Sequence, residues 1–274
     1  NKTRIFAKYN IAKEKFKPDF FLYENNKSAA QAIKDEIKKQ FRVWDGSFPT
    51  EDTGARYIEI NSALVSAQNR CRIYCHNFGD VKQPEDRHIY FRDIFNPNNH
   101  KWRAIGKWVY APFFKNSDKR KIDVLRTLNA EKSYTVTTKK GHPQHYILNE
   151  DKSMYTNLTI NECEALQTLP INYTQGVPEA ERYRAVGNGW TAEVIIHLLS
   201  HALKDIPKDE KIVVLSMYDG IGTGRYCLDK MGFTNVKYFA YEINKYAKQI
   251  AMSNYPDIVQ CGDAYQVRNN DWRL

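Results

Sequence analysis

Ile212-Val213-Val214-Leu215 is a short apolar run, and Ser216-Met217-Tyr218-Asp219-Gly220-Ile221-Gly222-Thr223-Gly224 follows it directly. The residues after Gly224 read as a helix. A second apolar run, Val236 to Ala240, ends at Tyr241-Glu242, and a third, Asp257 to Gln260, leads to Cys261-Gly262-Asp263. This order predicts β-turn-α-β-α-β with an acidic residue just past the second and third strands. Open parallel sheets bind nucleoside ligands in the crevice beyond the carboxyl ends of their strands, and both carboxylates fall there. A turn whose backbone N–H groups approach a ligand closely has no room for Cβ atoms, and glycine tolerates positive φ. Glu242 is placed to accept from two vicinal ribose hydroxyls, Asp263 from an exocyclic amine, and Tyr218 to lie against a purine. Alone, the Gly-x-Gly-x-Gly pattern fits an ordinary dinucleotide-binding fold equally well.

Around this stretch lies a chain of 274 residues, enough for one large or two small domains with a real core. Hydrophobic residues make up 42% and charged residues 27%, the balance of a globular protein. No apolar run is long enough to span a bilayer, so no membrane partner is expected. No signal-peptide pattern opens the sequence, which makes a cytoplasmic setting, of bacterial or phage type, the expectation. The 5 cysteines are odd in number and scattered, against a disulfide framework. Cys71 and Cys75 with His76 lack a matching second cluster, so no metal site is expected. The net charge of +9, with aromatics at 13% set among the basic residues, suits a polyanion.

Taken in order, 1–17 reads as a basic helix stopped by Pro18, and Phe20 to Tyr23 as a buried strand leading to Glu24-Asn25-Asn26. Ser28 is expected to cap a helix through Phe41. Tyr57 to Ile60 reads as a strand. Arg70-Cys71-Arg72-Ile73-Tyr74 alternates, which sends Arg70, Arg72 and Tyr74 to one strand face. Two guanidiniums on one face need carboxylate, phosphate or carbonyl partners. From 80 to 157 helical periodicity is absent, and cationic and aromatic residues interleave around Asn- and Pro-rich turns. Thr159 and Glu162 form a capping box for a helix ending before Pro170. Gly187-Asn188-Gly189-Trp190-Thr191 reads as a tight turn before a helix over Ala192 to Leu203, and 204–211 as a linker.

Jointly these stretches resemble the DNA (cytosine-5) methyltransferases. Tyr218-Asp219-Gly220-Ile221-Gly222-Thr223-Gly224 is similar to that family's first S-adenosyl-L-methionine motif, and Glu242 (with Ile243) and Asp263 to its second and third. Glu24-Asn25-Asn26 resembles its Glu-Asn-Val motif, and Gln68-Asn69-Arg70-Cys71-Arg72 its Gln-x-Arg-x-Arg motif. Leu158 to Gln167 resembles the segment after the target-recognition domain. Gly187-Asn188-Gly189 resembles the last motif, so that Asn188, Gly189 and Trp190 are expected near the cofactor. The order is rotated, with the cofactor motifs last, as in a circular permutation joined through 204–211. The family's nucleophile is a cysteine after a proline, and no cysteine here follows a proline. By position that loop falls before Asn1 or after Leu274.

The resemblance implies an α/β fold with a Rossmann-like, permuted methyltransferase sheet and a small irregular target-recognition domain. The boundaries expected are 1–79 and 158–274 for the catalytic domain and 80–157 for the recognition domain. It implies S-adenosyl-L-methionine as cofactor and double-stranded DNA as partner, with a flanking segment or second polypeptide supplying the Pro-Cys loop. Glu24 is the candidate acid toward N3 of the cytosine, Arg72 the holder of O2, and Arg70 its support or a phosphate ligand. Lys119, Arg120 and Lys121 are candidate phosphate contacts. Lys139, Lys140, His142, Gln144 and His145 are candidate base-edge readers. The alternatives are an inactive subunit that holds cofactor and DNA, and a dinucleotide-using oxidoreductase.

Overall fold

The apolar runs at Ile212–Leu215, Val236–Ala240 and Val259–Gln260 pair in parallel, although Val213 and Val259 stay exposed. The structure is a computed structural model that describes residues 2–44, 53–105 and 126–267. In chain order its elements are α1 (Lys2–Phe16), β1 (Leu22–Asn26), α2 (Gln31–Phe41), β2 (Arg56–Asn61), β3 (Cys71–His76), β4 (Arg103–Ala104), β5 (Arg126–Thr127), β6 (Tyr146–Leu148) and β7 (Met154–Asn157). Then follow α3 (Ile160–Leu166), α4 (Glu179–Asn188), α5 (Ala192–Ala202), β8 (Ile212–Met217), α6 (Thr223–Lys230), β9 (Val236–Tyr241), α7 (Lys245–Asn254) and β10 (Val259–Gly262). The chain is α/β and forms two compact units. One comprises Asn1–Asn61, Cys71–Pro84 and Val194–Leu274; the other comprises Ser62–Arg70 and Glu85–Glu193. The second unit is therefore wider than 80–157 and takes in α3, α4 and the start of α5.

The first unit holds two three-stranded sheets, β10-β9-β8 and β1-β3-β2. In the former all pairs are parallel, and β8-α6-β9-α7-β10 is a Rossmann-like βαβαβ unit. Its core gathers Leu228, Phe233, Tyr238, Ala240, Ala251 and Ile258. The other sheet is antiparallel and packs Ile73 and Cys75 with Ile37 and Phe41 of α2. The second unit carries a four-stranded sheet, β4-β7-β6-β5, over a core that includes Phe91, Phe95, Ile147, Leu158, Leu166 and Val186.

Several sequence expectations shift. β1 begins at Leu22 and continues through Glu24-Asn25-Asn26, because Phe20 stays exposed. Ser28 does not cap α2: the helix starts after Ala30, without a side-chain cap, and Ser28 lies in a turn in which the Ala29 N–H donates to the Asn26 carbonyl. The helix α4 is unforeseen in the sequence reading. Gly187 and Asn188 are its last residues rather than a turn, and Gly189 is its extended C-cap. Thr159 and Glu162 do form the capping box of α3, with the Thr159 N–H 2.7 Å from the Glu162 carboxylate. Among the described residues no helix is long and apolar enough to cross a membrane.

Candidate functional site

Register decides what the parallel sheet presents. Met217 pairs with Tyr241, and Tyr241 with Gly262. The next residue on each strand is Tyr218, Glu242 or Asp263, so all three stand on one rim at the strands' carboxyl ends. A bulge between Gln260 and Gly262, with φ of 86° at Gly262, turns β10 toward Asp263. The Asp263 carboxylate accepts from the Tyr265 N–H at 2.8 Å, and the Tyr265 ring lies 5.9 Å from that of Tyr218.

Glu242 is held by the backbone. Its Oε2 accepts from the Gly220 N–H at 2.9 Å, and its Oε1 from the Ile243 and Asn244 N–H groups at 2.8 and 2.7 Å. Three amide donors fix the carboxylate and leave about one acceptor site, on Oε2, available to a hydroxyl. The glycine turn is tied to the same rim, with the Asp219 N–H donating to the Tyr241 carbonyl at 3.1 Å. Tyr218 (φ 61°), Gly220 (69°) and Gly222 (75°) all lie in the left-handed region. For the non-glycine Tyr218 that costs about 1–3 kcal/mol, a strain that clusters at ligand sites. At Gly220 an added Cβ would meet nothing within 4 Å, so the turn is open on that side. At Gly222 it would crowd Ile258 and Ala251 at 3.2 and 3.3 Å. Ile243 is 69% exposed, an apolar side chain next to this rim with little to cover it. Asp219 itself is half-buried with its Oδ2 enclosed, and desolvation raises its carboxyl above the ordinary aspartate value.

On the antiparallel sheet Glu24 lies opposite Tyr74, and Arg72 opposite Asn26. Glu24 and Arg72 are therefore diagonal neighbours on one face, and Arg72 Nε donates to Glu24 Oε1 at 3.0 Å. A carboxylate and a guanidinium held side by side offer the acceptor or acid and the donor that one pyrimidine edge needs.

The expectation that Arg70 shares the face of Arg72 is corrected. β3 starts at Cys71, and Arg70 belongs to the second unit, where it is 4% exposed. Its guanidinium donates to the carbonyls of Val136 (3.2 Å), Gly187 (3.2 Å) and Gly189 (2.7 Å). Gln68, also buried, donates to the Gln167 amide oxygen at 2.8 Å and accepts from the Val136 N–H at 3.1 Å. Gln167 in turn donates to the carbonyls of Val186 and Gly189. Gly187 is needed where the backbone of Thr137 crosses α4, since a Cβ there would lie 2.3 Å from the Thr137 carbonyl carbon. Gly187 and Gly189, on either side of Asn188, are thus braced within the second unit by Arg70 and Gln167, the latter held by Gln68.

Of the candidate DNA contacts, Lys119, Arg120 and Lys121 lie outside the described residues. Lys139 and Lys140 are exposed, and Lys140 pairs with Glu179. His142 and Gln144 are half-buried. His145 is withdrawn from the base-edge readers: it is fully buried beside Tyr183, and its Nε2 accepts from the Thr137 N–H at 3.0 Å. Burial pushes its imidazole down to about 4.

By sequence the chain is similar to DNA (cytosine-5)-methyltransferase DRM2 of Oryza sativa subsp. japonica, 25% identical over 244 residues, which cover 81% of this chain and 37% of that protein. DNA (cytosine-5)-methyltransferase DRM1A of the same plant is 30% identical over 105 residues, 37% of this chain and 22% of that protein. The chain thus spans little more than a third of the first relative's length and less of the second's. Among solved structures it is similar to the S. pombe Dnmt2 methyltransferase (TM-score 0.46, 16% identity, covering 68% of this chain and 67% of that one). It is also similar to the Entamoeba histolytica methyltransferase EhMeth (TM-score 0.46, 14% identity, 69% and 64%). No protein-family profile matches the chain.

Proposed function

We propose, from the premise that this chain is a sequence relative of the DNA (cytosine-5) methyltransferases, that it is the cofactor- and base-binding part of such an enzyme. The observation that carries this reading is the rim of Tyr218, Glu242 and Asp263 beyond three strands in parallel register. The rim fits S-adenosyl-L-methionine. Glu242, held by three amides, accepts from a ribose hydroxyl at Oε2, Asp263 takes the adenine amine, and Tyr218 and Ile243 lie along the adenine. The space over Gly220 leaves room for the amino-acid portion. When bound, that cofactor supplies an electrophilic methyl group on a sulfonium.

Carbon-5 of cytosine is a weak nucleophile until a thiolate adds at carbon-6. Glu24 in its protonated form donates to N3 during that addition, and Arg72 holds O2, as the resemblance implies. The base leaves the duplex to reach them. Lys119, Arg120, Lys121, Lys139 and Lys140 contact the DNA, with His142 and Gln144 reading base edges. The described cysteines make poor nucleophiles, Cys71 because strand alternation on β3 turns it to the face opposite Arg72. Cys75, Cys163 and Cys227 are buried, and burial pushes Cys75 up to about 12 and Cys163 well above the ordinary thiol value. Cys261 sits at the β10 bulge with its Sγ directed to the Val259 carbonyl. The thiolate then comes from a Pro-Cys loop on a flanking segment or a second polypeptide.

The test is methyl transfer to mixed-sequence duplex DNA by this chain alone and with a Pro-Cys segment restored, with 5-fluorocytosine DNA to trap the adduct. Transfer is expected only with the segment. Robust transfer by the chain alone, abolished by Cys261→Ser, overturns the missing-thiolate reading. No transfer with the segment restored favours the second reading, a subunit that binds cofactor and DNA for a partner. That reading draws on the same thiol burial.

A further inference from the structure

Helix α6 begins directly above the glycine turn, and its position is set by one side chain that the sequence reading passed over. Tyr238, in the middle of β9, is 2% exposed and has its hydroxyl under the first turn of α6. A Cβ added at Gly224 would lie 2.5 Å from that oxygen but 3.5 Å from the nearest ring carbon. The obstruction at residue 224 is therefore the hydroxyl alone, because 3.5 Å is ordinary van der Waals contact. The hydroxyl is not free to swing aside. It donates to Asp219 Oδ1 at 2.7 Å, and Asp219 is anchored through its own N–H to the Tyr241 carbonyl of the same strand.

Asp219 lies among the Tyr238 hydroxyl, the Ser216 side chain and the Gly222 backbone, and its second oxygen, Oδ2, has no hydrogen-bond partner among the described residues. Burial raises both members of the pair above their ordinary values, Tyr238 most of all. An enclosed carboxylate loses stability when one of its donors, here the Tyr238 hydroxyl, goes. The three positions are interlocked: Asp219 fixes the hydroxyl, the hydroxyl sets how closely α6 approaches the sheet, and glycine at 224 is the residue that fits this spacing. Gly222 is packed from the other side by Ala251 and Ile258, so the turn carrying Gly220 and its N–H toward Glu242 has little play.

We infer that Asp219 and Tyr238 are positioning residues for the cofactor turn, acting through Gly224 without touching the ligand. The inference rests on the proposed S-adenosyl-L-methionine site and reassigns Asp219 from a ligand contact to a support.

The experiment is a double-mutant cycle on the full chain, read by calorimetric affinity for S-adenosyl-L-methionine and by thermal melts without ligand. Gly224→Ala is expected to weaken binding by about tenfold or more and to lower the melting temperature. Tyr238→Phe, which removes only the obstructing oxygen, is expected to weaken binding by a few-fold on its own. Combined with Gly224→Ala, it should restore most of what the alanine lost, a coupling that independent packing defects do not show. Asp219→Asn, which keeps an acceptor for the hydroxyl, is expected to stay within about threefold of the parent, whereas Asp219→Ala falls by about tenfold. Additive losses in the double variant, or an Asp219→Asn as weak as Asp219→Ala, overturn the interlock. If the parent chain binds no S-adenosyl-L-methionine, the proposed function fails, and the ligand-free melts then decide the interlock alone: coupled melting temperatures uphold it and additive ones end it. If Gly224→Ala does not fold, recovery of a cooperative melt by adding Tyr238→Phe is the same test, and its absence overturns the inference.

Discussion

The rim of the parallel sheet and the Gln68–Arg70 network are both built around motifs, yet they are held in opposite ways. At the rim the backbone holds the side chain: Glu242 is fixed by the N–H groups of Gly220, Ile243 and Asn244, two of them its immediate successors. In the network side chains hold the backbone: Arg70 binds carbonyls 66, 117 and 119 residues away in sequence. A rim made this way can lose a side chain and keep its shape. A network made this way loses its shape with the side chain. Arg72, two residues from Arg70, differs from it, since its guanidinium meets local partners, the Glu24 carboxylate on the neighbouring strand and the adjacent Cys71 carbonyl.

The largest expected effect breaks the network. Arg70→Ala takes a donor from the carbonyls of Val136 and Gly187 and one of two from Gly189, and is expected to cost about 3 kcal/mol, read as a loss of denaturation midpoint or failure of the second unit to fold. Arg72→Ala should cost less, about 1–2 kcal/mol, in the same measurement while abolishing methyl transfer in the assay with the Pro-Cys segment restored. Equal stability losses for the two arginines would erase the distinction between the regions.

Next is acid sensitivity. His145 in the second unit and His76 in the first are both pushed down to about 4 by burial, below the ordinary 6.5. The unfolded chain takes up these protons first, so stability is full above about pH 6.5 and is lost as pH falls toward 4. The loss is roughly 3 kcal/mol per histidine at most. Equilibrium denaturation across this range checks it, and His145→Asn should flatten the second unit's share. A level curve down to pH 4 contradicts the burial of both rings.

How much of each region the sequence disclosed follows from the same contrast. The glycine turn, Glu242 and Asp263 are legible because neighbours in sequence decide them: an apolar run, a glycine where φ must be positive, an acid one residue past a strand. The Thr159–Glu162 capping box is legible for that reason too. Arg70 was not, since strand alternation gives no hint that β3 begins one residue later or that its partners are distant carbonyls. His145 read as an exposed base reader because it stands among basic residues, and only tertiary packing buries it. The signal for α4 was present and unused: Pro178 before Glu179 and Glu181 is a helix start with acids in its first turn. Nothing in the local sequence marks Tyr238.

A smaller effect probes DNA contact. Neutralising Lys119, Arg120 and Lys121 together is expected to flatten the salt dependence of DNA affinity by up to about three units if all three meet phosphates. An unchanged slope in fluorescence titrations would make them solvated surface.

The central claim is that the rim holds S-adenosyl-L-methionine through a carboxylate fixed by backbone amides. Calorimetric titration of the chain with that cofactor, beside a nicotinamide dinucleotide and the variant Glu242→Ala, tests it most directly. Binding of S-adenosyl-L-methionine is expected, weakened by roughly tenfold or more in Glu242→Ala, with the fold and melting temperature of that variant nearly unchanged. No heat with S-adenosyl-L-methionine, together with clear binding of the dinucleotide, would contradict it.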